Sequence, residues 1–206
     1  MDPQWAGEHL QVIRTLMERS ALYRRALAPV ATWTGITGIA ASIVPCFVTI
    51  HEHLAFVSFW GAVSLVALFL SLWLIRRQAM KEKEPIWSPP TRRVAEALVP
   101  GLIVGLIIGG AYAFYPHPPP LYTLPPVWMM LYGCALSAAG FFVQRGIKAF
   151  GYLFIFLGLS GLLGVGKIAA LQTAEAAHWM MGGFFGVLHL LYGLYLYITE
   201  RRTHAS

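Results

Sequence analysis

The sequence has few charged residues and almost no cysteine. Only 12% of its 206 residues are Asp, Glu, Lys or Arg, whereas 57% are apolar, and the mean hydropathy is +0.62. An ordinary soluble domain carries about 25% charged residues, so this composition argues against that class. The two cysteines, Cys46 and Cys134, fall at predicted depths that differ by roughly 10 Å along the helix axis, and we therefore predict no disulfide between them.

Acidic residues are missing from the centres of the long apolar stretches. Carboxylates at that depth are typical of cation-coupled transporters and of intramembrane aspartyl chemistry. The stretches also lack a mid-span HExxH motif and a serine–histidine pair. We identify no catalytic residues, and we predict that the protein is not an enzyme.

Six apolar stretches are long enough to cross a bilayer as helices. A hydrocarbon core of ~30 Å needs about 20 helical residues, because lipid offers no partner to backbone N–H and C=O groups. We predict an all-α polytopic membrane protein in which residues 29–198 form one six-helix transmembrane domain. The predicted spans are 29–50, 54–75, 97–114, 125–143, 149–171 and 177–198.

Lysine and arginine lie almost entirely on one side of the predicted membrane. Cytoplasmic loops are enriched in these residues, so we expect both termini, the basic loop 76–96 and the tail 199–206 to face the cytoplasm from the inner (plasma) membrane. The net charge of +6 then lies beside anionic lipid, and we predict no nucleic-acid partner. The basic residues on this side are Arg14, Arg19, Arg24, Arg25, Arg76, Arg77, Lys81, Lys83, Arg92, Arg93, Arg145, Lys148, Arg201 and Arg202.

Tryptophan also marks the predicted outer membrane surface. Trp60, Trp128 and Trp179 fall near the predicted outer ends of spans. Amphipathic indole rings concentrate at the level of lipid headgroups. We therefore predict that these three side chains belong to an interfacial aromatic belt.

Residues 1–28 are patterned as an amphipathic cytoplasmic helix. In the stretch EHLQVIRTLMERSALYRRALAP, apolar residues such as Leu10, Ile13 and Met17 recur at helical spacing, and charged residues such as Arg14 and Glu18 lie elsewhere on the wheel. Such a helix can lie in the membrane interface or pack on a partner protein. The segment VIRTLMERSALYRR followed by six spans resembles poorly characterised multi-pass inner-membrane proteins of bacteria, and this resemblance implies no activity and no functional residue.

Small residues recur at helical spacing within the predicted spans. Stripes of this kind let helix backbones approach closely in a membrane, where the hydrophobic effect does not drive helix association. We interpret them as packing positions, either within a compact bundle or between copies of the chain. The residues are Gly35, Gly38, Gly101, Gly105, Gly109, Gly182 and Gly186.

His189 lies near the middle of the sixth predicted span, where a polar side chain usually faces the bundle interior. On an ideal helix it shares one stripe with His178, Gly182 and Gly186. Three roles stay open for it. It could bond a neighbouring hydroxyl or carbonyl group, act in a proton relay or contact a transported substrate, or serve as the axial ligand of a haem or chlorin.

The predicted outer loops concentrate histidine and glutamate. His51 and His53 lie in the stretch TIHEHLAFV, and Glu175 and His178 are three residues apart at the start of the sixth span. Carboxylate and imidazole groups suit zinc or iron, so one hypothesis is an outer-face metal site. The alternative is a set of polar interfacial residues with a pH response. The metal hypothesis requires His51 or His53 to approach Glu175, His178 or His117.

Lys167 is the single lysine or arginine outside the basic face. Its side chain could extend to the headgroups, pair with Glu175 across a short loop, or bind an anionic substrate.

The sequence favours a protein that acts through association. We predict an integral membrane accessory or scaffold subunit, working within a membrane complex or as a homo-oligomer. One alternative is a small transporter or channel with a polar path along His189. A second alternative is a haem- or pigment-binding protein with His189 as the axial ligand.

Overall fold

The computed structural model describes residues 27–83, 87, 89–143 and 145–203. Helix accounts for 86% of the structure, and the described residues contain no β-strand. The all-helical prediction is therefore confirmed. The amphipathic helix predicted for 1–28 lies outside the described residues, apart from its last two positions.

Six helices follow one another in the described part of the chain. The first, α1, covers 27–43 and ends in the short 3-10 turn Val44–Cys46. The sixth, α6, contains a π-helical segment, Gly182–Val187, between two α-helical parts, Ala174–Met181 and Leu188–Thr203. Further 3-10 turns occupy Leu121–Thr123 and Ala169–Leu171. The remaining helices are α2 (His53–Glu82), α3 (Pro89–Phe114), α4 (Leu124–Ala139) and α5 (Arg145–Val165).

Five of the six helices, all except α4, are long and apolar enough to cross a membrane. With 16 residues, α4 is about 24 Å long, which is less than a ~30 Å hydrocarbon core. Seven residues of α4 are buried. Six helices are present as predicted, but α4 is a short, enclosed helix and not a long apolar span.

The helices extend further into the predicted basic loop than the hydropathy pattern indicates. α2 continues to Glu82, because the sequence after the apolar run consists of good helix formers. It stops at Lys83, whose φ of 56° is left-handed and whose N–H group bonds the carbonyls of Ala79 and Met80. α3 already starts at Pro89, since proline is well tolerated in the first turn of a helix.

The first and last helices pack against each other with their backbones in contact. A Cβ atom added to Gly35 would lie 2.8 Å from Cα of Leu190, and one added to Gly38 would lie 2.9 Å from Cα of Gly186. Real Cβ atoms essentially never approach another atom so closely. α1 and α6 run antiparallel here, because residue numbers rise on one helix as they fall on the other.

Helix α4 is held against α3 by a second set of close contacts. A Cβ atom on Gly101 would lie 2.9 Å from Cβ of Ala135. The indole of Trp128 lies over Gly105 and Gly109, and its Nε1–H group donates a 2.9 Å hydrogen bond to the carbonyl of Gly105. The side of α4 that faces α5 is equally tight, since a Cβ on Gly133 would lie 2.6 Å from the Gly151 carbonyl oxygen.

The predicted packing glycines therefore all contact another helix of the same chain. Of the two interpretations of the glycine stripes, these contacts favour the compact bundle. The outward sides of α2 and α3 are apolar, and their large exposed side chains include Leu65, Phe69, Leu72, Trp73, Ile103, Leu106 and Ile107.

Candidate functional site

Three connections meet at one end of the bundle, which we call the histidine end: residues 44–52, 115–123 and 166–173. The His53 Nε2–H group donates a 3.2 Å hydrogen bond to the carbonyl of Pro119. His51 Nε2 lies 2.8 Å from the carboxylate oxygen Oε1 of Glu175. These contacts join the α1–α2 connection to the start of α6, and the start of α2 to the α3–α4 connection.

The His51–Glu175 pair brings together two of the residues that the metal hypothesis requires. Both side chains are more than half exposed, and exposed ion pairs typically contribute about 0–1 kcal/mol. Within the described ranges, no group of three or more His, Cys, Asp or Glu side chains is arranged to hold a metal ion. The outer-face metal site stays a prediction.

His178 is buried at the histidine end, with 1% of its surface exposed. Trp60 Nε1–H donates a 3.0 Å hydrogen bond to His178 Nδ1, and His178 Nε2 lies 2.9 Å from the Ile50 carbonyl oxygen. Because an indole nitrogen can only donate and a carbonyl can only accept, the imidazole is neutral and carries its proton on Nε2. A metal ion bound at either nitrogen would displace one of these two partners.

Local sequence explains why His178 reaches this position. Thr173 precedes α6 as its N-cap, and its hydroxyl group accepts a hydrogen bond from the N–H group of Ala176. This cap starts the helix one turn before His178. The rings of Phe56 and Phe59 then flank the imidazole, with ring centroids 4.6 and 5.9 Å away.

The interfacial-belt prediction is wrong for Trp60. Its side chain is only 1% exposed, because its N–H group has a partner inside the bundle. Trp128 is partly buried and likewise bonds inward, to Gly105. Trp179 is 55% exposed, as a belt residue would be. The sequence does not reveal the inward partners, since Trp60 and His178 are 118 residues apart.

His189 lies among aromatic rings between α6, α4 and α5. It is 4% exposed, and its Nε2 atom is 2.9 Å from the hydroxyl group of Tyr132 on α4. Phe150 and Phe154 of α5 approach edge to face, with centroids 5.3 and 5.4 Å from the imidazole. Phe185 is nearly parallel to the ring at 6.5 Å. Direct ring contacts therefore surround the imidazole.

The hydrogen bonds of His189 are incomplete. Nδ1 is buried without a hydrogen-bond partner among the described residues; the carbonyl group of Phe185 lies near the ring but does not reach Nδ1 with hydrogen-bond geometry. If Tyr132 donates to Nε2, only the Nδ1–H group is left over. If Nε2–H donates instead, both Nδ1 and the tyrosine proton lack partners. The first arrangement leaves fewer buried groups unsatisfied and is favoured.

A second buried polar atom without a partner in the described part of the chain lies one turn further along α6. The Tyr192 hydroxyl group has no hydrogen bond, and its ring stacks on Phe150 at 4.3 Å with an interplanar angle of 9°. Gly146, near the start of α5, makes room for it, because a Cβ atom there would lie 3.3 Å from the hydroxyl oxygen. Tyr132 and Tyr192 are the members of this cluster that the sequence analysis missed.

The residues that the sequence analysis placed on one face of α6 contact two different helices in the structure. Gly182 faces Ser42 and Gly186 faces Ile39, both on α1, whereas His189 faces Tyr132 on α4. Between these positions, the N–H group of Leu188 bonds the carbonyl of Gly183, five residues earlier. Such a π-helical turn shifts the register relative to an ideal α-helix, and π-bulges often occur at functional sites.

The two remaining candidate residues lie apart from these clusters. Lys167 is in the exposed turn that follows α5, where its N–H group bonds the carbonyl of Gly164. Glu175, its predicted partner, contacts His51 instead. His117 is exposed in the α3–α4 connection. A haem or chlorin bound at His189 Nε2 would have to displace Tyr132, and that cofactor role stays a prediction.

The fold indicates the general class of protein. The described part of the chain is all-helical, and five of its helices are long and apolar enough to cross a membrane, which is consistent with a membrane protein. No protein-family model matches the chain, and no curated protein or solved structure is significantly similar to it.

Proposed function

We propose that the protein is an integral membrane accessory or scaffold subunit that acts through helix–helix association. In this proposal six helices cross the inner (plasma) membrane, and both termini face the cytoplasm. The strongly one-sided distribution of lysine and arginine supports that orientation. The short helix α4 completes the sixth crossing while its neighbours α3 and α5 shield it from lipid.

Close packing inside the bundle supports the structural part of the proposal, and the little-buried surface of α2 carries the association part. Backbone contacts at glycines join α1 to α6 and α4 to both α3 and α5. Rings of Tyr132, Phe150 and Phe154 surround His189. Tight packing of this kind is typical of a structural bundle, whereas a transport path needs polar groups that line an open route.

Helix α2 is the part of the bundle best suited to meet a partner. Its 30 residues span about 45 Å, which exceeds the hydrocarbon thickness. Only 11% of its most apolar stretch is buried within the chain, compared with 33% for α6. A neighbouring transmembrane helix could therefore pack along α2 without disturbing the bundle.

Photo-crosslinking from matched phenylalanine positions tests this association. A photoreactive residue would replace Phe69 on α2 or Phe156 on α5, which are 68% and 66% exposed. In native membranes, we expect the Phe69 position to form adducts with a protein and the Phe156 position to form adducts with lipid only. Lipid adducts alone at both positions would contradict the proposed role of α2.

A small transporter or channel is the second candidate function. The specific observation in its favour is the pair of unsatisfied buried atoms, His189 Nδ1 and the Tyr192 hydroxyl oxygen. Both would gain partners if water or a polar substrate entered beside them. Hydrogen–deuterium exchange of residues 185–192 separates the two candidates, since a water-filled path predicts fast exchange and the closed bundle predicts strong protection.

A further inference from the structure

Lysine and arginine side chains dominate one end of the bundle, which we call the basic end. It lies opposite the histidine end. Ten of the fifteen lysines and arginines occupy the helix ends here. Among the described side chains, Arg92 is the only lysine or arginine with a carboxylate partner, the exposed Glu96 at 2.7 Å. The ten residues are Arg76, Arg77, Lys81, Lys83, Arg92, Arg93, Arg145, Lys148, Arg201 and Arg202.

Two of these cations lie over exposed aromatic rings. Arg77 Cζ is 5.6 Å from the ring centroid of Trp73. Lys148 Nζ is 3.9 Å from the ring centroid of Phe141 and 6.0 Å from that of Tyr152. Trp73, Phe141 and Tyr152 are all more than half exposed. Positive groups beside aromatic side chains are typical of the level where headgroups meet acyl chains.

The corner between α4 and α5 fixes the position of Lys148. Gly140 ends α4 against the first turns of α5, where a Cβ atom on Gly140 would lie 2.8 Å from Cα of Lys148. The first turn of α5 contains no acidic residue. Lys148 is therefore held at a defined place with an aromatic contact, and no carboxylate among the described side chains pairs with it.

We infer that this α4–α5 corner, formed by Phe141, Phe142, Lys148 and Tyr152, binds the phosphate headgroup of an anionic phospholipid. The ammonium group of Lys148 contacts the phosphate, and the exposed aromatic rings lie along the glycerol and upper acyl region. These apolar surroundings select a lipid over free phosphate as the source of the anion. The inference rests on the membrane location proposed above but not on any protein partner.

Native mass spectrometry of the full chain, delipidated and then supplied with defined lipids, tests the inference. We expect phosphatidylglycerol to be retained at least about fivefold more than phosphatidylcholine, since one basic residue near an anionic surface contributes roughly that factor. Lys148→Gln should reduce phosphatidylglycerol retention about fivefold. The matched control is Lys167→Gln, which removes an exposed lysine from the turn after α5, at the histidine end of the bundle, and should leave retention unchanged.

Each outcome of this experiment decides for or against the site. Equal retention by K148Q and K167Q, or equal retention of the two lipids by the wild-type protein, would overturn the inference. Millimolar inorganic phosphate should not displace the lipid; if it does, the corner is a free-phosphate site. If K148Q does not fold, Phe141→Leu replaces it and should lower retention by removing the aromatic contact. The lipid adduct is counted per chain, so a monomeric mass would contradict the proposed association and leave this result intact.

Discussion

At the scale of single residues, the two buried histidines differ in how completely they are hydrogen-bonded. His178 has a donor on one side and an acceptor on the other, supplied by Trp60 and Ile50. His189 has one partner, Tyr132, and a second nitrogen without one in the described structure. His178 thus acts as a structural clasp between α2, α6 and the α1–α2 connection, while His189 retains unused hydrogen-bonding capacity.

The two hydrogen bonds of His178 predict that truncating its side chain strongly lowers the free energy of unfolding. His178→Ala would leave the Trp60 N–H group and the Ile50 carbonyl without partners in a buried place. We expect a loss of about 3 kcal/mol in the free energy of unfolding, because both buried groups lose their hydrogen bonds. Denaturant titration in detergent micelles measures the change. His117→Ala is the control, and it should alter stability by less than about 0.5 kcal/mol because His117 is exposed.

The partial bonding of His189 predicts a smaller effect at Tyr132. Tyr132→Phe removes the hydroxyl group that contacts Nε2 and should lower the free energy of unfolding by about 1 kcal/mol, a typical value for a hydrogen bond between membrane helices. The same titration measures it. Tyr152→Phe, which removes an exposed hydroxyl group, should have no effect. An unchanged stability of Y132F would show that the hydroxyl group does not support His189.

The site was predictable from the sequence only in part. The apolar surroundings of His189 indicate a residue that faces the interior, and a bond to a neighbouring hydroxyl was one of the three open roles. Tyr132 is 57 residues away, so no local pattern identifies it as the partner. Successive spans run in opposite directions, so the sequence already places His51, His53, Glu175 and His178 on the same side of the bundle. The inward orientation of His178 toward Trp60 depends on tertiary packing, which the spacing of residues along the chain does not encode.

At the scale of helices, glycine decides which faces meet. Substitution of Gly35 by Ala should destabilise the protein by about 2 kcal/mol, because its Cβ atom would collide with the Leu190 backbone. Gly61→Ala on α2 is the matched control, since no atom of the described residues lies within 4 Å of the added carbon. There, alanine should stabilise the helix by up to about 1 kcal/mol. Changes of the same sign at both positions would contradict the α1–α6 contact.

Helix positions could be predicted better than helix ends. Long apolar runs identify the six helices, because a helix that is buried or faces lipid is specified mainly by the length of its apolar sequence. The ends depend on caps and on charged helix formers, so α2 extends past the apolar run to Glu82 and α5 stops at Val165. The π-helical turn at Gly182–Val187 has no hydropathy signature, and it separates His189 from the glycines that the ideal wheel groups with it.

At the scale of the whole molecule, the described helices pack closely against one another and expose large apolar side chains along their outer sides. α6 connects the two halves of the interior, because its glycines meet α1 and its His189 meets α4. α2 contributes least to this interior. A bundle with one long helix that buries little of its surface fits the proposed subunit, which would present that surface to another membrane protein.

The mass of the assembly extracted from the native membrane tests this account most directly. The protein would be isolated in lipid-preserving polymer discs, without detergent, and measured by native mass spectrometry. Association predicts a particle that contains a second polypeptide, either another copy or a different protein, in addition to the 22.8 kDa chain. A particle that contains one copy of the chain with lipid alone would contradict the proposed function.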